Sequence, residues 1–144
     1  MPKFQSNKGN LKNNSGTYKY EGYMSETGQY DKFGYIQWND DEYYFGDWHK
    51  GQRTGNGAYL FPDSGVYLGG FEKTNKHGIG LYSYPSGAFY FGNYKDNLKQ
   101  GYGVYIYANG DFVYSIFDKD KIHGKAIRFH AATKTFEFNL YENG

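Results

Sequence analysis

The sequence predicts an all-β chain, an elongated single-layer antiparallel β-hairpin solenoid of about five repeats. Three observations predict it. A Tyr-x-Gly step recurs at Tyr20-Glu21-Gly22, Tyr44-Phe45-Gly46, Tyr67-Leu68-Gly69 and Tyr90-Phe91-Gly92, at separations of 24, 23 and 23 residues, and a period in the twenties marks stacked repeats. A second mark keeps the same period at Gly55-Asn56-Gly57, Gly78-Ile79-Gly80 and Gly101-Tyr102-Gly103. Each unit also alternates with period two on both sides of a polar turn, the pattern of a β-hairpin.

Residues 1–16, rich in Lys and Asn, are expected as a disordered tail, and residues 17–141 as the repeat solenoid. Its units are placed near 20–43, 44–66, 67–89, 90–112 and 113–135, with a cap at 136–141. The first unit has an extra residue near Gly28, and Gly34, Ile36 and Trp38 fill its second strand. In the third unit Tyr67, Gly69 and Phe71 share one face, as do Gly80, Tyr82 and Tyr84, because side chains alternate across a strand. The second and fourth units repeat this with Tyr44-Gly46-Trp48 and Gly57-Tyr59-Phe61, then Tyr90-Gly92-Tyr94 and Gly103-Tyr105-Tyr107. Glycine weakens a strand unless a neighbour must approach its backbone, so rings are expected to lie over these glycines. The fifth unit places Ser115 and Ala126 where glycine stood. One period on, Phe136, Phe138 and Leu140 are read at the Tyr, Gly and ring positions, with Phe138 ending the stack. Two strands per repeat give a ribbon about 50 Å long and one sheet thick. Leu60, Leu68, Leu81, Phe91, Val104 and Ile106 fall on its opposite face, so something is expected to cover one face.

Eighteen Tyr, twelve Phe and twenty-one Gly among 144 residues make the chain too aromatic to stay unfolded, yet aliphatic core residues are scarce. With no cysteine there is no disulfide, thiolate metal site or Cys nucleophile. A net charge of +1 argues against a dedicated nucleic-acid binder. No stretch reads as a secretory signal or a bilayer span.

The repeat Tyr-x-Gly-x-(aromatic), polar turn, Gly-x-Gly-x-Tyr-x-(aromatic)-Pro-x-Gly, clearest at Tyr67–Gly87 with its His77-Gly78 pair, resembles the MORN repeat (membrane occupation and recognition nexus) over roughly residues 20–141. Similar repeats occur in junctional membrane proteins, ciliary radial-spoke components, cytoskeletal scaffolds, lipid kinases and a lysine methyltransferase. The resemblance implies a cytoplasmic setting and a cytoskeletal or ciliary assembly.

Chemistry finds little support. His77 and His123 are two repeats apart, about 19 Å, and His123 and His130 lack a third ligand, so no metal and no cofactor is expected. The Gly-x-Gly pairs precede no helix, as a phosphate cradle would. Asp40, Asp41 and Glu42 form a solvated turn, and no nucleophile has a base and acid beside it. The chain is read as a non-enzyme. Turns within repeats carry an excess of basic groups, and turns between them carry Asp40, Asp41, Glu42, Asp63 and Asp111, giving one basic and one acidic edge. The expected function is a scaffold or adaptor for protein–protein assembly, its partner another protein or a second copy. The contact rings are expected to be Tyr44, Trp48, Tyr59, Tyr67, Phe71, Tyr82, Tyr90, Tyr94 and Tyr105. The alternative is a peripheral module whose Lys50, Arg53, Lys73, Lys76, Lys95, Lys99, Lys119 and Lys121 bind anionic phospholipid headgroups weakly. RNA binding is disfavoured because the aromatic face is expected to lack interleaved basic groups.

Overall fold

The computed structural model describes residues 1–6, 11–13, 16–38 and 41–141. They form one thirteen-stranded antiparallel sheet. Its strands are β1 (Lys3–Ser6), β2 (Leu11–Asn13), β3 (Gly16–Met24), β4 (Tyr30–Trp38), β5 (Glu42–His49), β6 (Gln52–Leu60) and β7 (Val66–Glu72). There follow β8 (Asn75–Ser83), β9 (Phe89–Lys95), β10 (Leu98–Ile106), β11 (Phe112–Asp118), β12 (Lys121–His130) and β13 (Thr135–Tyr141). From β3 onward each strand pairs with its sequence neighbours, so five hairpins lie side by side as a ribbon that does not close. Part of the expected tail takes regular structure: β1 and β2 pair end to end along the outer edge of β3. That edge otherwise presents unpaired amides and carbonyls, which a neighbouring segment can satisfy.

Four hairpins turn on two consecutive left-handed residues: Lys50-Gly51, Lys73-Thr74, Asp96-Asn97 and Lys119-Asp120. Two positive φ values in succession make the tight turn whose twist matches that of the strands. Each tip then bonds backward. Gly51 N donates to Tyr30 O, Thr74 N to Arg53 O, Asn97 N to Lys76 O and Asp120 N to Lys99 O, at 2.9–3.1 Å. Every hairpin tip is thereby clasped to the hairpin before it.

The two glycines of Gly-x-Gly have different work. Each hairpin breaks register near its middle: Gly46 faces Gly57, but Asp47 faces Thr54, so β6 carries two residues more than β5 across the bulge. The first glycine sits there with positive φ, at Gly55, Gly78, Gly101 and Gly124, and Lys32 holds the same position in the first hairpin at φ 60°. The second glycine faces a glycine of the preceding strand: Gly46↔Gly57, Gly69↔Gly80 and Gly92↔Gly103. A ring covers each such pair. A Cβ on Gly57 would stand 2.5 Å from Tyr44 Cε2, and one on Gly46 2.6 Å from the Tyr44 hydroxyl. The rings therefore lie over glycines as the alternation predicts, on their own strand and on the next.

The last strand departs from expectation. The turn between β12 and β13 is one residue longer than its predecessors: Phe129 pairs Phe136, whereas the equivalent Ile106 pairs Phe112. A slip of one residue sends every side chain to the other face. Glu137, Asn139 and Tyr141 thus hold the Tyr, Gly and ring positions, while Phe136, Phe138 and Leu140 lie on the opposite face, Phe138 at 80% exposure. The stop assigned to Phe138 is corrected accordingly, since its ring is not on the stacking face.

Candidate functional site

The ribbon has two unlike faces. On one, the rings of the Tyr-x-Gly-x-ring motif form an unbroken chain, Tyr20·Trp48·Tyr44·Phe71·Tyr67·Tyr94·Tyr90·Phe117. Successive rings meet edge to face, at 5.0–6.3 Å and 82–90°. Each such contact contributes about 0.5–1.5 kcal/mol beyond area burial. The motif tyrosines also end on a hydrogen bond. Tyr20 donates to Tyr23 O, Tyr44 to Asp47 O, Tyr67 to Gly70 O and Tyr90 to Asn93 O, at 2.8–3.2 Å. The acceptor is in each case the carbonyl at the bulge, where the ladder is interrupted and a backbone group needs another partner. Burial holds these phenols neutral: Tyr20 and Tyr67 are pushed up to about 12, and Tyr44, Tyr90 and Tyr94 further.

Beside this chain runs a second one, half-exposed except at the buried Tyr59: Trp38·Tyr59·Phe61·Tyr82·Tyr84·Tyr105·Tyr107, with centroids 4.4–5.8 Å apart. Between the two lie three cations. Arg53 Cζ stands 4.7 Å from the Tyr59 ring and 5.6 Å from those of Tyr44 and Phe71. Lys76 Nζ lies 4.9 Å from Tyr82 and 5.2 Å from Tyr94, and Lys99 Nζ 5.4 Å from both Tyr90 and Tyr105. Burial pulls both lysines below their ordinary range. Their stems lie on ring surface while their heads stay partly wet. The expectation that this face lacks interleaved basic groups is corrected: residues 53, 76 and 99 follow the tip turns, pair with Trp48, Phe71 and Tyr94, and so point to the ring side. The 23-residue spacing of Arg53, Lys76 and Lys99 was the available signal.

Of the nine expected contact rings, Tyr44, Trp48, Tyr59, Tyr67, Phe71, Tyr90 and Tyr94 are buried, several at 0% exposure. They are the core of a sheet that has no second layer, and they offer a partner no surface. Tyr82 and Tyr105 remain half-exposed. Of the eight expected lipid contacts, Lys50, Lys73, Lys95, Lys119 and Lys121 are exposed along the tip edge, whereas Arg53, Lys76 and Lys99 fold over rings. On the other edge, Asp63 accepts from Gly65 N and Asp111 from Ala131 N, so these carboxylates brace turns; the Ala131 amide also holds the Asp111 carboxyl below its ordinary range. Asp40 lies outside the described residues. His49 approaches Asp31 at 3.4 Å and His77 approaches Glu72 at 3.6 Å. His130 lies between Asp111 at 3.7 Å and Glu137 at 3.3 Å. No group of three or more His, Asp or Glu among the described residues has an arrangement suited to a metal ion.

The opposite face carries what composition and spacing indicated only in part. One cross-strand row runs Tyr35↔Phe45↔Ala58↔Leu68↔Leu81↔Phe91↔Val104↔Tyr114↔Ile127↔Phe138, from β4 to β13. A second contains Tyr43, Leu60, Val66, Phe89, Ile106, Phe112, Phe129 and Phe136, broken only by Ser83. None of the described residues forms a second layer over them, and Phe91 is 52% exposed.

Three stretches of the sequence, residues 44–66, 67–89 and 90–112, match the model of the MORN repeat. A search of curated proteins returns no match. Among solved structures, the SAS-4 (dCPAP) TCP domain of Drosophila melanogaster, in complex with a proline-rich motif of Ana2 (dSTIL), is similar over 92% of this chain and 88% of that one, at 10% identity and a TM-score of 0.43. That likeness is too loose to bear on function. The three matched stretches are consecutive and share one hairpin geometry, bulge for bulge and ring for ring, and the chain is a MORN-repeat protein.

Proposed function

We propose that the protein is a non-catalytic scaffold that docks on another protein subunit through the two apolar rows of the face away from the buried rings. The observation that carries this is the continuity of the first row over ten strands, β4 to β13, with the second beside it from β5 to β13, broken only at Ser83. Nine strand spacings make the first about 43 Å long, and two rows are about 14 Å wide with their side chains, or about 600 Å². A stable interface buries roughly 800 Å² per partner, and about 600 Å² stands at the upper end of the largest apolar patch on a monomer, a size that is often functional. A flat sheet face of this kind fits a flat or helical apolar surface. On the family resemblance, the assembly is cytoskeletal or ciliary and the setting cytoplasmic.

The test pairs the wild-type chain with a Phe91→Glu, Tyr114→Glu variant, whose substitutions lie at exposed positions inside the row and leave the ring core untouched. Proximity labelling in the native cell is expected to mark a reproducible set of neighbours that the folded variant no longer marks. Retention of that set by the variant overturns the reading. Light scattering reports self-association separately, a second copy being one form of subunit. Sedimentation with anionic vesicles that is abolished by salt and unaltered in the variant replaces the proposal with lipid binding through the tip lysines.

A further inference from the structure

On the ring face the structure repeats one recognition unit three times: an aromatic pair and a cation, both rings open to solvent in the second and third units and Phe61 alone in the first, where Tyr59 is buried. The units are Tyr59/Phe61 with Arg53, Tyr82/Tyr84 with Lys76, and Tyr105/Tyr107 with Lys99. They succeed one another every two strands, about 9.6 Å, across the strand direction. Among the described residues no carboxylate lies within ion-pair distance of the three cations, and Asp120 acts on Lys76 and Lys99 only from farther away. Arg53 Nη2 donates to the Thr74 carbonyl, the guanidinium also meets the Tyr59 hydroxyl, and Arg53 Nε is buried with no hydrogen-bond partner among the described residues. Beyond Lys99 the strip opens into a recess of about 410 Å³, lined by Tyr105, Tyr107, Phe117 and Tyr141 among others, where Val113 stands in place of the motif tyrosine.

A ligand matching this surface is extended, apolar on one edge and anionic on another, with a period near 9.6 Å. A polyproline II helix has three residues per turn and rises about 3.1 Å per residue, about 9.3 Å per turn, so residues i, i+3 and i+6 project on one edge. We propose that the ring face binds a protein segment in polyproline II conformation with an acidic residue at every third position. Its prolines pack on the aromatic pairs and its carboxylates meet Arg53, Lys76 and Lys99. Over three units the two periods drift by about 1 Å, which long Lys and Arg stems absorb. The lowered affinity of Lys76 and Lys99 for protons, caused by burial, agrees with sites that gain from an incoming anion. Nucleic acid fits less well. A cation every 9.6 Å is sparse for a polyphosphate, which in duplex DNA carries a charge per about 1.7 Å.

The experiment uses fluorescence anisotropy on the full chain with a labelled peptide of three Glu-Pro-Pro triplets. Saturable binding is expected. It should weaken at least tenfold when Glu is replaced by Gln, or when the acids are moved to every fourth position. The Lys76→Met, Lys99→Met variant keeps both stems and should weaken binding by a similar factor with an unaltered circular dichroism spectrum. Phe91→Glu, on the other face, should leave binding intact, which separates this inference from the docking proposal above. The absence of saturable binding, equal affinity for the two acid spacings or for the Gln peptide, or tighter binding of an oligouridylate than of the peptide overturns it.

Discussion

In the central hairpins a tyrosine ring lies over a facing pair of glycines and its hydroxyl ties off the bulge carbonyl. In the hairpin of β11 and β12 the tyrosine is Val113, the glycines are Ser115 and Ala126, and all three are buried. Ser115 and Ala126 face each other in the register of Gly46 and Gly57, and Ser115 Oγ donates to Lys125 O at 3.1 Å, across the same bulge. One space is filled from a distance by a ring or locally by two small side chains, and the bulge is tied by a phenol to a carbonyl of its own strand or by a hydroxymethyl group to a carbonyl of the next. The residues at the three positions therefore depend on one another. Glycine is required by the ring and not by the strand.

Alkali should separate the two solutions most. Tyr20 and Tyr67 ionise in the folded chain only at about 12, against about 10 unfolded. A raised folded value means that the unfolded chain releases protons first, so the stability present below pH 10 is lost as pH climbs towards 12. Hydrogen exchange in that window should show strands β5 to β10 losing protection before β11 and β12, whose core has no motif tyrosine of its own. Simultaneous loss throughout would mean that the ring chain couples the units more tightly than their local chemistry does.

The next effect in size concerns the exchange of one solution for the other. Gly57→Ala forces Tyr44 off its seat and should cost about 3 kcal/mol in urea unfolding. Adding Tyr44→Val and Gly46→Ser imports the arrangement of the fifth hairpin and should recover about 1 kcal/mol or more; a triple variant weaker than the single one would show that the fifth hairpin depends on its neighbours. Tyr67→Phe keeps the ring but orphans the Gly70 carbonyl, and should cost about 1–2 kcal/mol. Smallest is the bulge. Gly78→Ala should cost about 1–2 kcal/mol at its positive φ, whereas Lys32→Gly places glycine at the one hairpin that lacks it and should add about 0.5–1 kcal/mol, read as a shift in urea midpoint.

The repeats were legible because the period, the alternation and the glycines agree on one hairpin. The pairing of ring with glycine was legible for the same reason. Three things were not. Strand alternation tells which face a side chain takes but not how deeply it sinks, so Tyr44 and Tyr67 could be read as contact residues when each lies under neighbouring rings and a long cation. Lys76 and Lys99 follow a turn, and a lysine after a turn reads as solvated until the strand register shows that it stands opposite Phe71 or Tyr94. The face of Phe138 hung on one extra residue in the preceding turn, where period-two patterns fit either register because residues 136–141 alternate Phe, Phe, Leu with Glu, Asn, Tyr.

The backward backbone clasps at the hairpin tips are answered by forward bonds, from Lys76 N to Asn97 Oδ1 and from Lys99 N to Asp120 Oδ1. Thr74 reaches Arg53, Asn97 reaches Lys76 and Asp120 reaches Lys99, each acceptor already in place when its donor arrives. Each new hairpin therefore gives and takes the same set of tip bonds as it docks on the one before it. A ribbon assembled in this order tolerates repeats being added at its growing end without renegotiating those behind, which is a physical route by which such chains vary in length while each unit stays the same.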